Sequence, residues 1–150
     1  MLTFREIRPE DRETVVPMVV QFYTTDAVDH PVPQKTLERA FEAVADPGEP
    51  MARGLLMLED DTPVGYLYLS PCYSCEVGGL SIWVEELFVL KEFQGRGYGK
   101  RAMEHILEEY PDCRRIRLEV TQVNQRAIRL YENCGFTYLR YDQMVLDRVD

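Results

Sequence analysis

Between Gln94 and Arg101 the chain reads QGRGYGKR, with glycine at every second position (Gly95, Gly97 and Gly99) and bases at Arg96, Lys100 and Arg101. Apolar, strand-like residues lead into this stretch. A helix-like run leaves it, with Ala102, Met103, Ile106, Leu107 and Tyr110 at helical spacing. A glycine turn between a strand and a helix lets the backbone approach a ligand closely and aims several N–H groups at one point, which suits a phosphate. Helices ordinarily carry acids first and bases last, because aligned peptide dipoles leave partial positive charge at the N-terminus. Here the order is reversed, with Glu108 and Glu109 at the far end. A bound polyanion would offset the cost of gathering cations there. Without one, each unfavourable contact costs about 0.3–1 kcal/mol, which a stable domain tolerates.

Two nucleotide-binding patterns fit this loop less well. A Walker loop wants glycine where Gln94 stands and Ser or Thr where Arg101 stands. The dinucleotide fingerprint fails at its third glycine, which is Lys100. Glu119 lies about where a ribose-binding acid would follow, but the chain has too few strand–helix units for that fold.

Other residues offer acid–base chemistry. Glu85 and Glu86 interrupt an apolar strand, LSIWVEELFV, and neighbouring strand residues point to opposite faces. With helices on both faces, at least one of the two carboxylates lies in or beside a cleft, where burial raises a carboxyl pKa toward that of a general base. Tyr131 belongs to a helical stripe with Ala127, Ile128 and Cys134, a pattern equally read as buried core. Cys72 and Cys75 have C-x2-C spacing, but Cys113 and Cys134 supply no second pair for zinc. No histidine adjoins Cys134 to make it a nucleophile.

The elements that must position these groups follow from periodicity. Strands are expected at residues 2–8, 54–58, 64–69, 80–89 and 115–120, with EDDTP turning the second into the third. A helix starting at Pro9 should reach about Tyr23, with Pro17 as a candidate kink. Further helices are expected at 34–45, after the glycines, and at 124–133, the last capped by Gly135. Residues 136–140 and 143–146 read as two closing strands. The strand–helix–strand unit from 80 to 120 predicts a parallel pair with a right-handed crossover. The result is a mixed α/β sheet in one domain, residues 1–150.

Net charge is −9, from 26 acids against 17 bases. That argues against nucleic acid, whose binders need a basic surface. It agrees with a cationic small substrate, as do Asp26, Asp29 and Glu76 in the connecting loops. There is no apolar run long enough for a membrane span or signal peptide, so no membrane partner and a cytoplasmic location are expected.

The stretch from Gln94 to Gly99 matches the Gln/Arg-x-x-Gly-x-Gly/Ala loop of the GNAT superfamily of N-acetyltransferases, which the chain resembles on both sides of the loop. VEELFVLKEFQGRGYGKRAM looks like that superfamily's central strand and pyrophosphate arm. LEVTQVNQRAIRLYENCGF carries its N-x-x-A-x-x-x-Y-x-x-x-G-F pattern from Asn124 to Phe136. The resemblance implies a GNAT-like central mixed sheet of six to seven strands flanked by about four helices. It implies acetyl-CoA as co-substrate, direct transfer to a primary amine, and a homodimer as a further expectation. Gln94 and the backbone of Gly95, Arg96, Gly97, Tyr98, Gly99 and Lys100 would then hold the pyrophosphate. Leu87, Phe88 and Val89 would pair with the pantetheine arm as an added strand does. Asn124 would contact the cofactor, although it serves equally as a helix N-cap. Tyr131 would be the acid that protonates the departing sulfur. The strand's similarity to the family's polyamine acetyltransferases implies Glu85 as base, with Glu86 beside it or on the substrate. Glu119 instead matches the proton acceptor of the family's ribosomal-protein N-terminal acetyltransferases. A protein N-terminus or lysine as acceptor, and a non-catalytic acyl-CoA-binding module, are the alternatives.

Overall fold

The computed structural model describes residues 1–149. In chain order the elements are β1 (Leu2–Glu6), a 3-10 turn (Pro9–Asp11) running into α1 (Arg12–Phe22), α2 (Gln34–Ala45), β2 (Arg53–Glu59), β3 (Thr62–Ser74), β4 (Gly79–Val89), a 3-10 turn (Lys91–Phe93), α3 (Tyr98–Glu109), β5 (Arg115–Leu118) and α4 (Gln125–Asn133). The five strands form one sheet in sequence order. All pairs are antiparallel except β4 and β5, the parallel pair that the β-α-β unit requires.

Local chemistry accounts for the boundaries. Asp60 and Asp61, both at positive φ, make the two-residue turn joining β2 to β3, a geometry that matches strand twist. Pro9 opens the first helix, where its missing N–H is no loss, and Pro17 is accommodated inside α1. Asp11 accepts the Arg8 N–H (2.8 Å) and two bonds from the Arg5 guanidinium (both 2.8 Å), tying this helix start to β1.

The sheet is covered on both faces. Val15, Met18, Val19 and Phe22 of α1 and Leu37, Phe41 and Val44 of α2 pack with Leu56, Tyr66, Tyr68 and Phe88 on one side. Ala102, Met103 and Ile106 of α3 pack with Leu55, Met57, Leu67, Leu69, Ile82 and Val84 on the other.

β4 contains a bulge that sets the site. Tyr68 faces Glu86 and Leu69 faces Val84, so Glu85 has no partner across the strands. The extra residue reverses the alternation. Ile82 and Val84 join the α3 side, and beyond the bulge it is Leu87 and Val89 that do so. Glu86 and Phe88 turn instead to the α1/α2 side.

Two expectations about the sheet are corrected. It has five strands among the described residues, not six or seven. Residues 136–140 and 143–146 form no strand; residues 136–139 and 141–143 line an open cavity opposite β5 and do not pair with its free edge. β5 stops at Leu118 rather than 120, which leaves Glu119 exposed beyond its end.

Candidate active site

Pairing between β4 and β5 ends at Val84 and Leu118. Past that point β4 continues to Val89 with no strand on that side among the described residues, so the two parallel strands fork. An extended segment of a ligand can add to such an edge by backbone hydrogen bonds. The fork opens into a cleft of about 340 Å³ lined by β4, the glycine loop and α4.

Most of the sequence candidates meet there. Leu87, Val89, Gln94, Gly95, Gly97, Tyr98, Gly99, Lys100, Asn124 and Tyr131 all line this cleft. Gly95 (φ +81°) and Gly97 (φ +79°) occupy the left-handed region, where a side chain is strained, and the space beside both is open. Gly97 caps α3, so the free N–H groups of the first turn face the cleft. Gly99 serves another purpose: a Cβ there would meet Leu130 Cδ2 at 2.7 Å, so its absence lets α4 lie close to α3.

The cations that looked misplaced divide into three cases. Arg101 pairs with Glu104 at 2.6 Å. Arg96 lies over the Phe93 ring, 5.1 Å from its centre, and does not line the cleft. Lys100 lines it with no carboxylate partner among the described residues. Phe88 is buried on the opposite side of the sheet, so only its backbone can serve the fork.

Tyr131 reaches this cleft from α4, its ring 5.6 Å from Phe136. Burial, with a smaller contribution from Cys134, pushes its hydroxyl up to about 12, so it keeps its proton at neutral pH. Asn124 caps α4, its side chain accepting the Ala127 N–H at 3.3 Å while facing the cleft.

On the other side of β4 lies a polar cluster within apolar core. Glu86 is 7% exposed. Tyr66 donates to one of its oxygens at 2.7 Å and Tyr23 to the other at 3.0 Å. Burial raises this carboxyl from 4.5 to about 6, against the lowering effect of the two hydroxyls, and Glu85 adds to the rise. The buried Tyr68 hydroxyl beside it has no hydrogen-bond partner among the described residues. The acidic loop after Tyr23 packs here through Ala27, Val28 and Val32, and the Thr121 hydroxyl donates to the Asp26 carbonyl. Of the three candidate carboxylates, Glu86 alone is buried; Glu85 stands exposed at the fork and Glu119 exposed at its rim.

Sequence reasoning missed several residues. Arg126 donates to Gln94 Oε1 at 2.7 Å, while Gln94 Nε2 reaches the Val89 carbonyl at 3.0 Å, a clasp joining α4, the loop and β4. Its signal was available, a base in the first turn of α4 like those of α3. Phe93 and Leu130 also line the cleft. Tyr23, Tyr66 and Tyr68 gave no signal, since only folding gathers them.

The family model described as acetyltransferase (GNAT) family matches residues 16–136. A probable spermine N(1)-acetyltransferase from Bacillus subtilis subsp. natto (strain BEST195) is 38% identical over 61 residues, 38% of this chain and 40% of that protein. A thialysine N-epsilon-acetyltransferase from Bos taurus is 31% identical over 96 residues, 63% of this chain and 51% of that one. The chain thus spans about half or less of the length of these relatives. A solved structure, a predicted acetyltransferase with acetyl-CoA from Clostridium acetobutylicum, superposes with a TM-score of 0.76 at 12% identity over 97% of this chain and 96% of that one, a likeness of fold.

Proposed function

The chain belongs to the acetyltransferase (GNAT) family, and we propose that it moves acetyl from acetyl-CoA to a primary amine on a small cationic molecule of the polyamine or diamine type. One observation carries this reading: the fork between β4 and β5 meets a left-handed glycine loop at the start of α3, with a protonated tyrosine on the same cleft wall. The residues fit the donor. Open space beside Gly95 and Gly97, and the unpartnered Lys100, suit a pyrophosphate, and the unpaired β4 edge suits an amide-bearing arm. The donor supplies an activated acetyl thioester.

The rest falls to the chain. An alkyl ammonium, with pKa about 10.4, must lose a proton before its nitrogen can attack. The reading gives that proton to Glu86 rather than to Glu85. What supports the choice is a proton affinity close to neutral and a side chain turned to the acidic loop's side of β4. N–H groups of the unpaired β4 edge steady the oxygen as it gains charge. Tyr131 gives its proton to the sulfur as the carbon–sulfur bond breaks, and the second proton, shed by the acylated nitrogen, passes through water to restore it. Net charge of −9 draws a cationic acceptor, and the acceptors named for the relatives are amines. No helix among the described residues is long and apolar enough to cross a membrane. We read the setting as cytoplasmic, which four unpaired cysteines suit.

The test is thiol release from acetyl-CoA with spermidine, a diamine and a lysine peptide in parallel, alongside thermal melts with acetyl-CoA, NAD and ATP. Polyamine-dependent release and a raised midpoint with acetyl-CoA are expected. A midpoint raised only by NAD or ATP overturns the donor; release only with the peptide overturns the acceptor.

A further inference from the structure

Glu86 is enclosed, and each of its oxygens already accepts a hydroxyl, Tyr66 on one and Tyr23 on the other. Tyr68 faces it across the strands, and the rings of Phe22 and Phe88 close around Tyr66. An ammonium arriving from solvent therefore meets a hydroxyl before it meets the carboxylate.

The three hydroxyls differ in access. Tyr66 is fully buried and Tyr68 is 3% exposed. Tyr23 is half-buried, and its bond to Glu86 is only partly covered, whereas the Tyr66 bond is sealed. Tyr23 is thus the member of the cluster that reaches the surface.

Its position is fixed from both sides. The Tyr23 N–H closes α1 on the Val19 carbonyl at 3.2 Å, and its ring meets Phe22 edge-on, 5.2 Å between centres. The Thr24 and Thr25 hydroxyls turn back to the Gln21 and Phe22 carbonyls, both at 2.6 Å. The acidic loop with Asp26 and Asp29 starts immediately after, and Thr121 beyond β5 donates to the Asp26 carbonyl, so the loop reaches toward the fork. A cation drawn to those carboxylates is delivered on the Tyr23 side of the cluster.

We propose that Tyr23 is a catalytic residue of the transfer, passing the acceptor's proton to Glu86, an inference that rests on Glu86 being the base. A hydroxyl both donates and accepts, so it can hand on one proton while taking another. An N–H bond of the ammonium breaks and its proton joins the Tyr23 oxygen, while the Tyr23 O–H proton moves to the Glu86 oxygen that it already faces. The amine is left neutral, the hydroxyl is restored with a new proton, and the carboxylate becomes the acid. After product leaves, the same path in reverse returns that proton to solvent. Because the two transfers are concerted, Tyr23 never ionises alone, a state that burial and the charge of Glu86 both oppose. Tyr66 donates to the other oxygen and, being sealed, steadies the carboxylate without meeting the acceptor.

The experiment is acetyl transfer to spermidine followed by thiol release across pH, in Tyr23→Phe, Tyr66→Phe and Glu86→Gln. Circular dichroism and urea midpoints accompany each variant. Both Phe variants lose a hydrogen bond that lowers the Glu86 pKa, so both should move the break near pH 6 upward. Above the break, Tyr23→Phe should lower kcat/KM about 100-fold with the KM for acetyl-CoA held, a larger loss than in Tyr66→Phe. In mixtures of light and heavy water, kcat/KM of the unaltered chain should follow a curve, since two protons move together, and that of Tyr23→Phe a straight line. A loss in Tyr23→Phe no larger than in Tyr66→Phe overturns the relay, as does a straight line in the unaltered chain. If Glu86→Gln abolishes the break while either of those results holds, the relay alone fails and the base stands. If the break persists in Glu86→Gln, the base assignment fails and the relay with it.

Discussion

If Glu86 takes the amine's proton, replacing it by Gln should alter two pH profiles at once. The side chain keeps its shape: Gln can accept from Tyr66 with its oxygen and donate to the Tyr23 oxygen with its nitrogen, so both contacts at 2.7 and 3.0 Å survive in kind. What disappears is the titration. The difference between 4.5 and about 6, at about 1.4 kcal/mol per tenfold change in proton affinity, is about 2 kcal/mol. The folded pKa is the higher one, so this contribution to stability is fully present below pH 4.5 and lost as pH rises through about 6. Glu86→Gln should therefore flatten the stability–pH curve between pH 4.5 and about 7, by about 2 kcal/mol, in urea titrations. In kinetics, one proton must leave to solvent below about pH 6, that of Glu86, and none above it until the amine itself titrates, because Glu86 takes the ammonium's proton within the complex. The logarithm of kcat/KM should then rise with a slope near one at low pH and level off above the break. In Glu86→Gln the slope should be near one throughout, with the rate at pH 7 lower by about 100- to 10,000-fold. Tyr66→Phe removes a hydrogen bond that lowers the carboxyl's pKa, so its break should move upward. A break near pH 6 that persists in Glu86→Gln but vanishes in Glu85→Gln would refute the assignment and return the role to Glu85.

If the Tyr131 hydroxyl acts on the departing sulfur rather than in binding, Tyr131→Phe should lower kcat about 100-fold with the KM for acetyl-CoA held; an unchanged kcat removes Tyr131 from the chemistry. Gly97→Ala places a side chain at φ +79° and should cost about 1–2 kcal/mol in urea melts, with weaker acetyl-CoA binding. Gly99→Ala asks only the far end of Leu130 to shift and should cost less; the reverse order would contradict the packing described. The Arg5 guanidinium holds Asp11 below the usual carboxylate range, so its contribution to stability is present above about pH 4 and lost as pH falls. Asp11→Asn should cost about 1.5–3 kcal/mol near pH 7, and the gap from the unaltered chain should close as acid is added.

Much of this protein was legible in its residues alone. α2 runs over the expected residues, β4 and β5 are parallel, Gly135 ends α4 at φ +94°, and ten of the candidate residues line one cleft. These features rest on local physics: glycine's freedom at positive φ, the period of apolar residues, and charges set against a helix dipole. Other decisions waited for the fold. Alternation along LSIWVEELFV cannot reveal a bulge, because the extra residue exists only relative to β3, and that bulge decides that Glu86 is buried while Glu85 is left in water. The tyrosines on Glu86 come from the residue capping α1 and from β3, Tyr23 lying 63 residues away in sequence, so no spacing marks them. The closing residues read as strands from their composition, yet a strand exists only where it pairs, and across the cavity from β5 they do not reach its free edge. Sequence determines which conformations a segment prefers and which chemistry it carries; burial, pKa and pairing belong to neighbours, and the tertiary structure alone supplies those.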